Sequence, residues 1–115
     1  MQALEQQQLN IIMNTFIAEC KALFGDMLSD VRLFGSYARG DDSAESDVDI
    51  MVILDMSDNE VRKCLDSVCH IASELDLIYH TSIMPVLQSK SEYELRKYSY
   101  GFYKNVETEG ISMYA

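Results

Sequence analysis

Two short motifs hold the side chains of this sequence whose types and spacing are best suited to chemistry. Gly35 and Ser36 follow a short apolar segment, and two acids, Asp47 and Asp49, stand at the start of a longer one. A glycine lets the backbone approach a ligand closely, and a serine where a helix begins lies beside unpaired N–H groups and the positive end of the helix dipole. Such a turn is suited to a triphosphate.

The two acids are suited to a metal ion. Side chains two residues apart on a strand point to the same face, so Asp47 and Asp49 can bind one cation, or two cations about 3.5–4 Å apart. Magnesium prefers a few carboxylates together with phosphate oxygens. Burying these acids unpaired at the start of the most apolar segment would be costly, and a cation is the simplest way to offset that cost.

Each motif alone has a more common structural interpretation. A Gly-Ser turn after a strand is usually only a turn, and an isolated Asp-x-Asp is usually a solvated loop or the end of a strand. Together, and in this order along the chain, they predict a site for a nucleotide and magnesium.

Two strands and the loop between them must position these motifs. Val31 to Phe34, interrupted by Arg32, is typical of a short strand that enters a tight turn. Tyr37 to Gly40 is long enough only for the first turn of a helix, and the polar segment Asp41 to Ser46 is expected to be a loop. Val48 to Leu54 is almost continuously apolar, which predicts a strand covered on both faces at the centre of the sheet.

Helical spacing predicts two longer elements that would cover the sheet. Apolar residues recur at helical intervals from Leu4 to Phe24, and Gly25 provides a natural stop. Ser57 followed by Glu60 is a capping box, which predicts that a second helix covers Asp58 to Leu75.

The remaining part of the chain predicts one more strand and a helical end. Ile78 to Leu87 is rich in β-branched and apolar residues, and Pro85 favours an edge position or a bulge because proline has no N–H to donate. We expect a third strand that ends or bends at Pro85. Ser91 with Glu94 is another capping box. After a break at Gly101, a last helix is expected from Phe102 to Glu109.

Composition limits the class of protein. A chain of 115 residues with 48% hydrophobic residues can form one buried core, so we expect one domain over residues 1–115. There is no signal-peptide pattern and no apolar run near the ~20 residues needed to cross a bilayer. We therefore expect a soluble, cytoplasmic protein. The net charge of −10 repels phosphate backbones, which argues against unaided binding of long nucleic acids.

The three cysteines do not suggest a disulfide or zinc framework. Cys20, Cys64 and Cys69 are odd in number, lie in helical patterns and lack paired spacing. We expect buried thiols in a reducing compartment.

The combined motif resembles a known family. The run G-S-Y-A-R-G from Gly35, followed by S-D-V-D ending at Asp49, is similar to the signature of the polymerase-β-like nucleotidyltransferase superfamily, and specifically of its small MNT (minimal nucleotidyltransferase) branch. The resemblance implies an α+β fold in which helices flank a small mixed sheet. It also implies a nucleoside triphosphate donor whose β- and γ-phosphates are held by Gly35 and Ser36. In the same way, Asp47 and Asp49 are implied to be the catalytic acids that bind Mg²⁺.

Arg39 has two competing interpretations. It can contact phosphate, or it can form a salt bridge to Asp41, Asp42 or Asp47 that fixes the loop. It is a secondary candidate for nucleotide binding.

The sequence departs from the family pattern at one point. Active members usually carry a third carboxylate on a later strand, but Ile78 to Leu87 contains no acid. Asp76 just before it could reach the site, although a solvated acid at the junction is the simpler interpretation. His80 could act as a base, although a lone histidine on a strand is more often structural. Without a base, catalysis would lose about 10²–10⁴-fold but could persist through positioning and metal electrostatics.

Three functions remain open from the sequence. The leading one is transfer of a nucleoside monophosphate, AMP from ATP, to a hydroxyl group. Because the MNT branch is commonly encoded beside HEPN-domain proteins as an antitoxin, the resemblance implies a tyrosine of such a partner as the acceptor. A partner subunit, or a homodimer, would supply the surfaces that larger relatives carry in a second domain. The second function is nucleotide binding or antitoxin contact without turnover, and the third is adenylylation of an aminoglycoside.

The C-terminal segment also resembles the family. Phe102 to Tyr114 is similar to the ending of other small members of the MNT branch. Its helical part places Phe102 and Val106 on one side, and we expect this side to pack against the core and not to contact a partner.

Overall fold

The computed structural model describes residues 5–42, 46–99 and 101–114, in which four strands and six α-helices are present. The strands are β1 (Leu28–Phe34), β2 (Val48–Leu54), β3 (Ile83–Ser89) and β4 (Ile111–Tyr114). The helices are α1 (Gln6–Phe24), α2 (Ser36–Arg39), α3 (Asp58–Lys63), α4 (Leu65–Tyr79), α5 (Lys90–Arg96) and α6 (Gly101–Glu109). None of these helices combines the length and apolar character that a membrane span requires.

The four strands form one mixed sheet in the order β3-β2-β1-β4. β1 is antiparallel to both β2 and β4, whereas β2 and β3 are parallel. The α+β class and the mixed sheet flanked by helices are thereby confirmed. β2 has the bounds that its apolar run predicted and is an inner strand. Pro85 lies on an edge strand as expected, but β3 does not end there and pairs with β2 without a bulge as far as Ser89.

The two faces of the sheet are covered by different helices. Alternate residues of β2 point in opposite directions, so Val48, Ile50, Val52 and Leu54 join the core formed with α1 and α4. Met51 and Ile53 face the other way and pack with residues of α5 and α6. Both sets are buried, which is why the strand is apolar without alternation.

Arg32, the charged residue that interrupts the apolar segment of β1, holds the end of α6 against the sheet. Its guanidinium donates to the carbonyl oxygens of Val106, Glu107 and Gly110 at 3.1–3.4 Å and pairs with Asp30 at 3.2 Å. The last carbonyls of a helix lack intrahelical partners, and a cation there also complements the helix dipole. The half-buried arginine is therefore a helix anchor.

Two tyrosines add further anchors for α6. The Tyr103 hydroxyl donates to Gln88 of β3 at 2.8 Å, and the Tyr93 hydroxyl of α5 donates to Glu107 at 2.6 Å. Burial, and then the bond to Glu107, raise the pKa of Tyr93 well above its usual range. Because α6 is tied to β1, β3 and α5, its inner face has a fixed position on the sheet.

The expected second helix and third strand have different bounds in the structure. The helix is divided at Cys64 into α3 and α4, and α4 continues to Tyr79, so Ile78 is helical and exposed. The chain reverses at His80, whose φ of 55° is left-handed, and β3 starts only at Ile83. The β-branched composition of this segment was misleading because packing of α4 on α1 and the sheet outweighs local propensity.

Helix starts were predicted with mixed success. Ser57 caps α3 as expected, with its hydroxyl accepting from the Glu60 amide at 3.3 Å. The cap of α5 is Ser89, which accepts from the Glu92 amide, and not the predicted Ser91. The predicted start of the first helix at Leu4 and residues 43–45 of the expected loop lie outside the described residues.

The expectation of buried thiols is correct for one cysteine only. Cys20 is fully buried, and burial raises the pKa of its thiol to about 12. Cys64 is half-buried at the joint between α3 and α4, and Cys69 is exposed. Cys69 follows the buried Val68 on α4, and consecutive helical residues point about 100° apart, so only one of the two faces the core.

The anchoring role of Arg32 can be measured as stability. Replacing Arg32→Met keeps most of the side-chain volume but removes the guanidinium that pairs with Asp30 and donates to three carbonyls at the end of α6. We expect the free energy of unfolding in urea to fall by about 2–4 kcal/mol. Arg62→Met on the exposed surface of α3 is the matched control and should change stability by less than about 0.5 kcal/mol. Equal effects of the two substitutions would contradict this role.

Candidate active site

The turn after β1 is built around Gly35. Its φ of 73° and ψ of −155° are accessible to glycine and strained for other residues. A Cβ placed on Gly35 would lie 2.2 Å from the Asp49 carboxylate oxygen Oδ2. Glycine is therefore required twice, once by the backbone angle and once by the approach of Asp49.

Sheet pairing explains this close approach. In the antiparallel register of β1 and β2, Phe34 is the partner of Asp49, so the turn that follows Phe34 begins beside the carboxylate. Ser36 begins the short helix α2 directly after Gly35, and Gly40 in the left-handed conformation ends it. The structure thus brings the two sequence motifs together at one end of the sheet.

Four of the five predicted site residues line one cavity. Gly35, Ser36, Arg39 and Asp49 surround a space of about 320 Å³, which is within the usual size range of small-molecule sites. Asp47 does not line this cavity, because it is exposed and precedes the first residue of β2. It lies close enough to raise the pKa of Asp49 by charge repulsion.

The opposite wall of the cavity comes from α6 and was not predicted as part of the site. Phe102, Asn105, Val106 and Glu109 line it, together with Phe34 of β1. These helix residues share one face, since they are three, four and seven residues apart. The sequence showed only the helical spacing of these residues. Their position opposite the Gly35 turn depends on the tertiary structure and could not be predicted from that spacing.

Arg39 forms a predicted salt bridge to Asp41 and a second one, to Glu109, that was not predicted. Its guanidinium lies 3.2 Å from the Asp41 carboxylate and 3.7 Å from that of Glu109. Arg39 nevertheless lines the cavity, and its positive charge partly offsets the causes that raise the pKa of Asp49. Both partners are exposed, and such pairs contribute little to stability, so a phosphate can compete for this arginine.

The residue that β3 places beside Asp49 is not an acid. The partner of Asp49 on the parallel strand β3 is Met84, which is half-exposed. Asp76 has a structural role instead: its carboxylate accepts from the Thr81 hydroxyl at 2.7 Å and from the Ile83 amide at 2.9 Å, fixing the turn into β3. His80 is the exposed left-handed residue of that turn, not a strand residue.

The electrostatics of Asp49 favour a cation. Burial is the main cause that raises the pKa of this carboxyl, and the charge of Asp47 adds to it, while Arg39 acts in the opposite direction. Within the described part of the chain, no group of three histidine, cysteine or acidic side chains is arranged to hold a metal. Two carboxylates with an incomplete ligand set suit magnesium, which commonly completes its shell with phosphate oxygens and water.

A strand that ends in a Gly-Ser turn lies beside a second strand that begins between two acids, an arrangement typical of proteins that act on nucleotide phosphates. The chain belongs to the nucleotidyltransferase domain family, whose model matches residues 13–107. The resemblance seen in the sequence is thereby confirmed.

Relatives from Methanocaldococcus jannaschii agree with this assignment. The protein MJ0604, provisionally named a protein adenylyltransferase, is 31% identical over 99 residues, covering 86% of this chain and 91% of the relative. MJ1305, which carries the same provisional name, is 34% identical over 96 residues, covering 81% of this chain and 63% of its own length.

Solved structures share the fold at lower identity. A toxin-antitoxin structure with AMP-PNP matches with a TM-score of 0.54 and 23% identity, over 87% of this chain and 71% of that one. A mutant of the MntA-HpeT toxin-antitoxin matches with a TM-score of 0.51 and 16% identity, over 97% and 74% of the two chains. At these identities the likeness shows the fold alone.

The contact between Gly35 and Asp49 can be tested with matched glycine variants. Gly25 also has a positive φ, 56°, but a Cβ there would meet nothing within 4 Å. Gly25→Ala and Gly35→Ala should both lose about 1–3 kcal/mol of stability through backbone strain. Only Gly35→Ala should also displace Asp49 and abolish the rise in melting temperature produced by Mg²⁺ with ATP. An unchanged ligand response in Gly35→Ala would contradict the contact.

The raised pKa of Asp49 predicts a pH-dependent effect on stability. A carboxyl whose pKa is raised by folding favours the folded state below its unfolded pKa, and this contribution is lost as pH rises through the folded pKa. In EDTA, Asp49→Asn should therefore be more stable than wild type at pH 7, by less than about 1 kcal/mol because the group is partly solvated. The difference should disappear near pH 3.

Thermal melts across this pH range measure the effect. Asp55→Asn, which changes an exposed acid at the other end of β2, is the control and should follow the wild type. A destabilised Asp49→Asn at pH 7 would mean that the carboxylate is well paired in the folded protein, contrary to the electrostatic argument.

Proposed function

We propose that this protein transfers AMP from ATP to a hydroxyl group of a partner protein, using Mg²⁺ bound by Asp47 and Asp49. The observation that carries the proposal is the approach of Asp49 to Gly35, which places a carboxylate beside the turn that begins α2. A triphosphate at that turn and a cation at the acids would therefore be in contact.

Similarity to other proteins supports the choice of nucleotide and acceptor. The relatives MJ0604 and MJ1305 carry the provisional name of protein adenylyltransferases, and a structural neighbour was solved with AMP-PNP, an analogue of ATP. The mutant MntA-HpeT neighbour has two aspartates, two positions apart, changed to glutamate, which is the spacing of Asp47 and Asp49. These names support ATP as the nucleotide donor, a protein as the acceptor, and a functional role for the two acids.

The side chains of the site divide the work between binding and orientation. Gly35 and Ser36 would bind the β- and γ-phosphates, because the first amides of a helix lack intrahelical partners. Arg39 would leave its exposed carboxylate partners to contact phosphate. Magnesium held by Asp47 and Asp49 supplies charge neutralisation and orients the α-phosphate.

Transfer then exchanges one bond at the α-phosphorus for another. The acceptor oxygen bonds to phosphorus, the bond to the β-phosphate oxygen breaks, and pyrophosphate leaves with the electron pair. Because Met84 and not an acid stands beside Asp49 on β3, the hydroxyl proton would pass to water. The reaction would depend on positioning and electrostatics, without the gain of about 10²–10⁴-fold that a general base contributes.

The acceptor we propose is a tyrosine of a HEPN-type toxin, with this chain acting as its antitoxin. The solved neighbours are toxin-antitoxin proteins, which supports an antitoxin role. Three residues that line the cavity, Arg39, Asn105 and Glu109, are exposed, so a side chain of another protein could reach a nucleotide bound there.

A second candidate function is neutralisation of a toxin by contact alone. The absence of an acid beside Asp49 on β3 favours it. A groove of about 950 Å³ between α1 and α4 could be the surface that contacts the toxin. Its lining includes Ala18, Ala22, Leu23 and Ile71 and the acids Glu19 and Asp66. This groove lies on the face of the sheet opposite to Asp49.

Label transfer separates the two functions. The purified protein is incubated with Mg²⁺, ATP labelled at the α-phosphate and the protein encoded beside it, and label on that protein is measured. We expect transfer by the wild type and a loss of at least about 100-fold in Asp49→Asn, since a metal ligand contributes several kcal/mol to the transition state.

Two controls make the result specific. Asp55→Asn, just beyond the far end of β2, should keep transfer, and replacing the modified tyrosine of the partner should remove the label. The transferase function would be rejected if the wild type transferred no label and if the wild type and Asp49→Asn neutralised the toxin equally. That result would support neutralisation by contact.

A further inference from the structure

The wall of the cavity formed by α6 has side chains that the phosphate and metal chemistry does not use. Phe102 and Asn105 face the cavity from one side of α6, while Gly35, Ser36 and Asp49 form the other side. Apart from Glu109 of α6, whose carboxylate pairs with Arg39, the groups that suit phosphate and cation are on the second side. The part of a nucleotide that remains, its base, would therefore meet α6.

Phe102 is a large apolar side chain that is left open at the cavity. It is 48% exposed, although Val106 one turn further along the same face is buried. Its ring makes edge-to-face contacts with Phe34, at a centroid distance of 5.7 Å, and with Tyr103, at 5.3 Å. Two such contacts fix the ring before any ligand arrives, so stacking on it would cost little conformational entropy.

Asn105 adds a polar group with a definite pattern. It lies three residues after Phe102 on the same helix face and is exposed at the cavity. Its amide offers one acceptor and a donor side by side, which matches the N6 donor and N7 acceptor of adenine. Guanine presents two acceptors on the corresponding edge, so one of its atoms would face the oxygen of the asparagine.

We propose that Phe102 and Asn105 form an adenine subsite, in which the base stacks on Phe102 and its polar edge pairs with Asn105. This inference rests on the proposed function, because it takes the phosphates to lie at Gly35 and Ser36. It assigns the choice of base to α6, whose position is fixed by Arg32, Tyr103 and Tyr93. The expected packing role of Phe102 is thereby extended to a ligand.

Binding measurements test the subsite without relying on catalysis. Titration calorimetry with Mg²⁺ compares ATP, GTP and inorganic tripolyphosphate, which has phosphates but no base. Phe102→Ala should weaken ATP binding by about 5- to 150-fold, the usual contribution of one stacked base, and change tripolyphosphate binding by less than about twofold. Phe102→Tyr should restore ATP binding, since its ring also stacks.

Asn105→Leu, which has a similar size but no amide, should bring the preference of ATP over GTP close to one while leaving tripolyphosphate unchanged. Tyr98→Ala, at another exposed aromatic residue just before α6, is the matched control and should bind all three ligands as the wild type does.

Four outcomes would overturn the subsite. Equal loss of ATP and tripolyphosphate in Phe102→Ala would show that Phe102 only supports the fold of the phosphate site. Unchanged ATP binding in that variant would show that the base binds elsewhere. An ATP preference retained in Asn105→Leu would show that Asn105 does not recognise the polar edge of the base. Equal affinity of wild type for ATP and tripolyphosphate would exclude any base subsite while leaving the phosphate site intact.

The subsite and the transfer reaction can also fail separately. Binding of ATP that depends on Phe102, in a protein that labels no partner, would support the subsite and overturn the proposed transfer.

Discussion

The arrangement of the site depends on one close approach, that of the Asp49 carboxylate to the backbone of Gly35. The Asp49 oxygen occupies the space that a Cβ would need, so no other residue type can stand at the turn without moving the acid. This contact joins the turn that we propose to bind phosphate to the strand that carries one of the proposed metal ligands. It exists because the antiparallel pairing of β1 and β2 ends with Phe34 opposite Asp49.

The second requirement of the site is a fixed position for α6, which forms half of the cavity wall. A helix that carries a polar and aromatic face has few apolar contacts with the sheet, and Val106 is its one buried residue. Hydrogen bonds from Arg32 to the last carbonyls of the helix supply what apolar packing does not. Because Arg32 of β1 anchors α6, the helix can keep its position without burying Phe102 and Asn105 against the sheet, and both remain exposed at the cavity.

The strong negative charge of the chain has opposite consequences at two distances. Over the whole surface, a net charge of −10 opposes the approach of phosphate. Inside the site, burial and the neighbouring Asp47 raise the pKa of Asp49, so a divalent cation relieves a local repulsion when it binds. A metal-bound triphosphate therefore suits this protein, whereas a bare polyanion does not.

The sequence by itself determined the inner strand and the two site motifs. Val48 to Leu54 could be predicted because six apolar side chains around one acid suit a strand buried on both faces. Gly35, Ser36, Asp47 and Asp49 could be proposed as a site because their chemistry is local: backbone freedom at glycine, a helix start, and two carboxylates at the start of one strand and just before it. The same short-range logic failed from Ile78 to Tyr79, where helix packing outweighed β propensity, and at the cap of α5.

Only the tertiary structure decided what these motifs face. The strand Ile111–Tyr114 is too short to be recognised alone and exists through its pairing with β1. Glu109, Asn105 and Phe102 became cavity residues because α6 crosses the sheet beside the Gly35 turn, a contact between parts of the chain far apart in sequence. Local patterns state which groups a segment offers. The contacts between distant segments, set by sheet register and by the anchoring of α6, decide which of those groups meet.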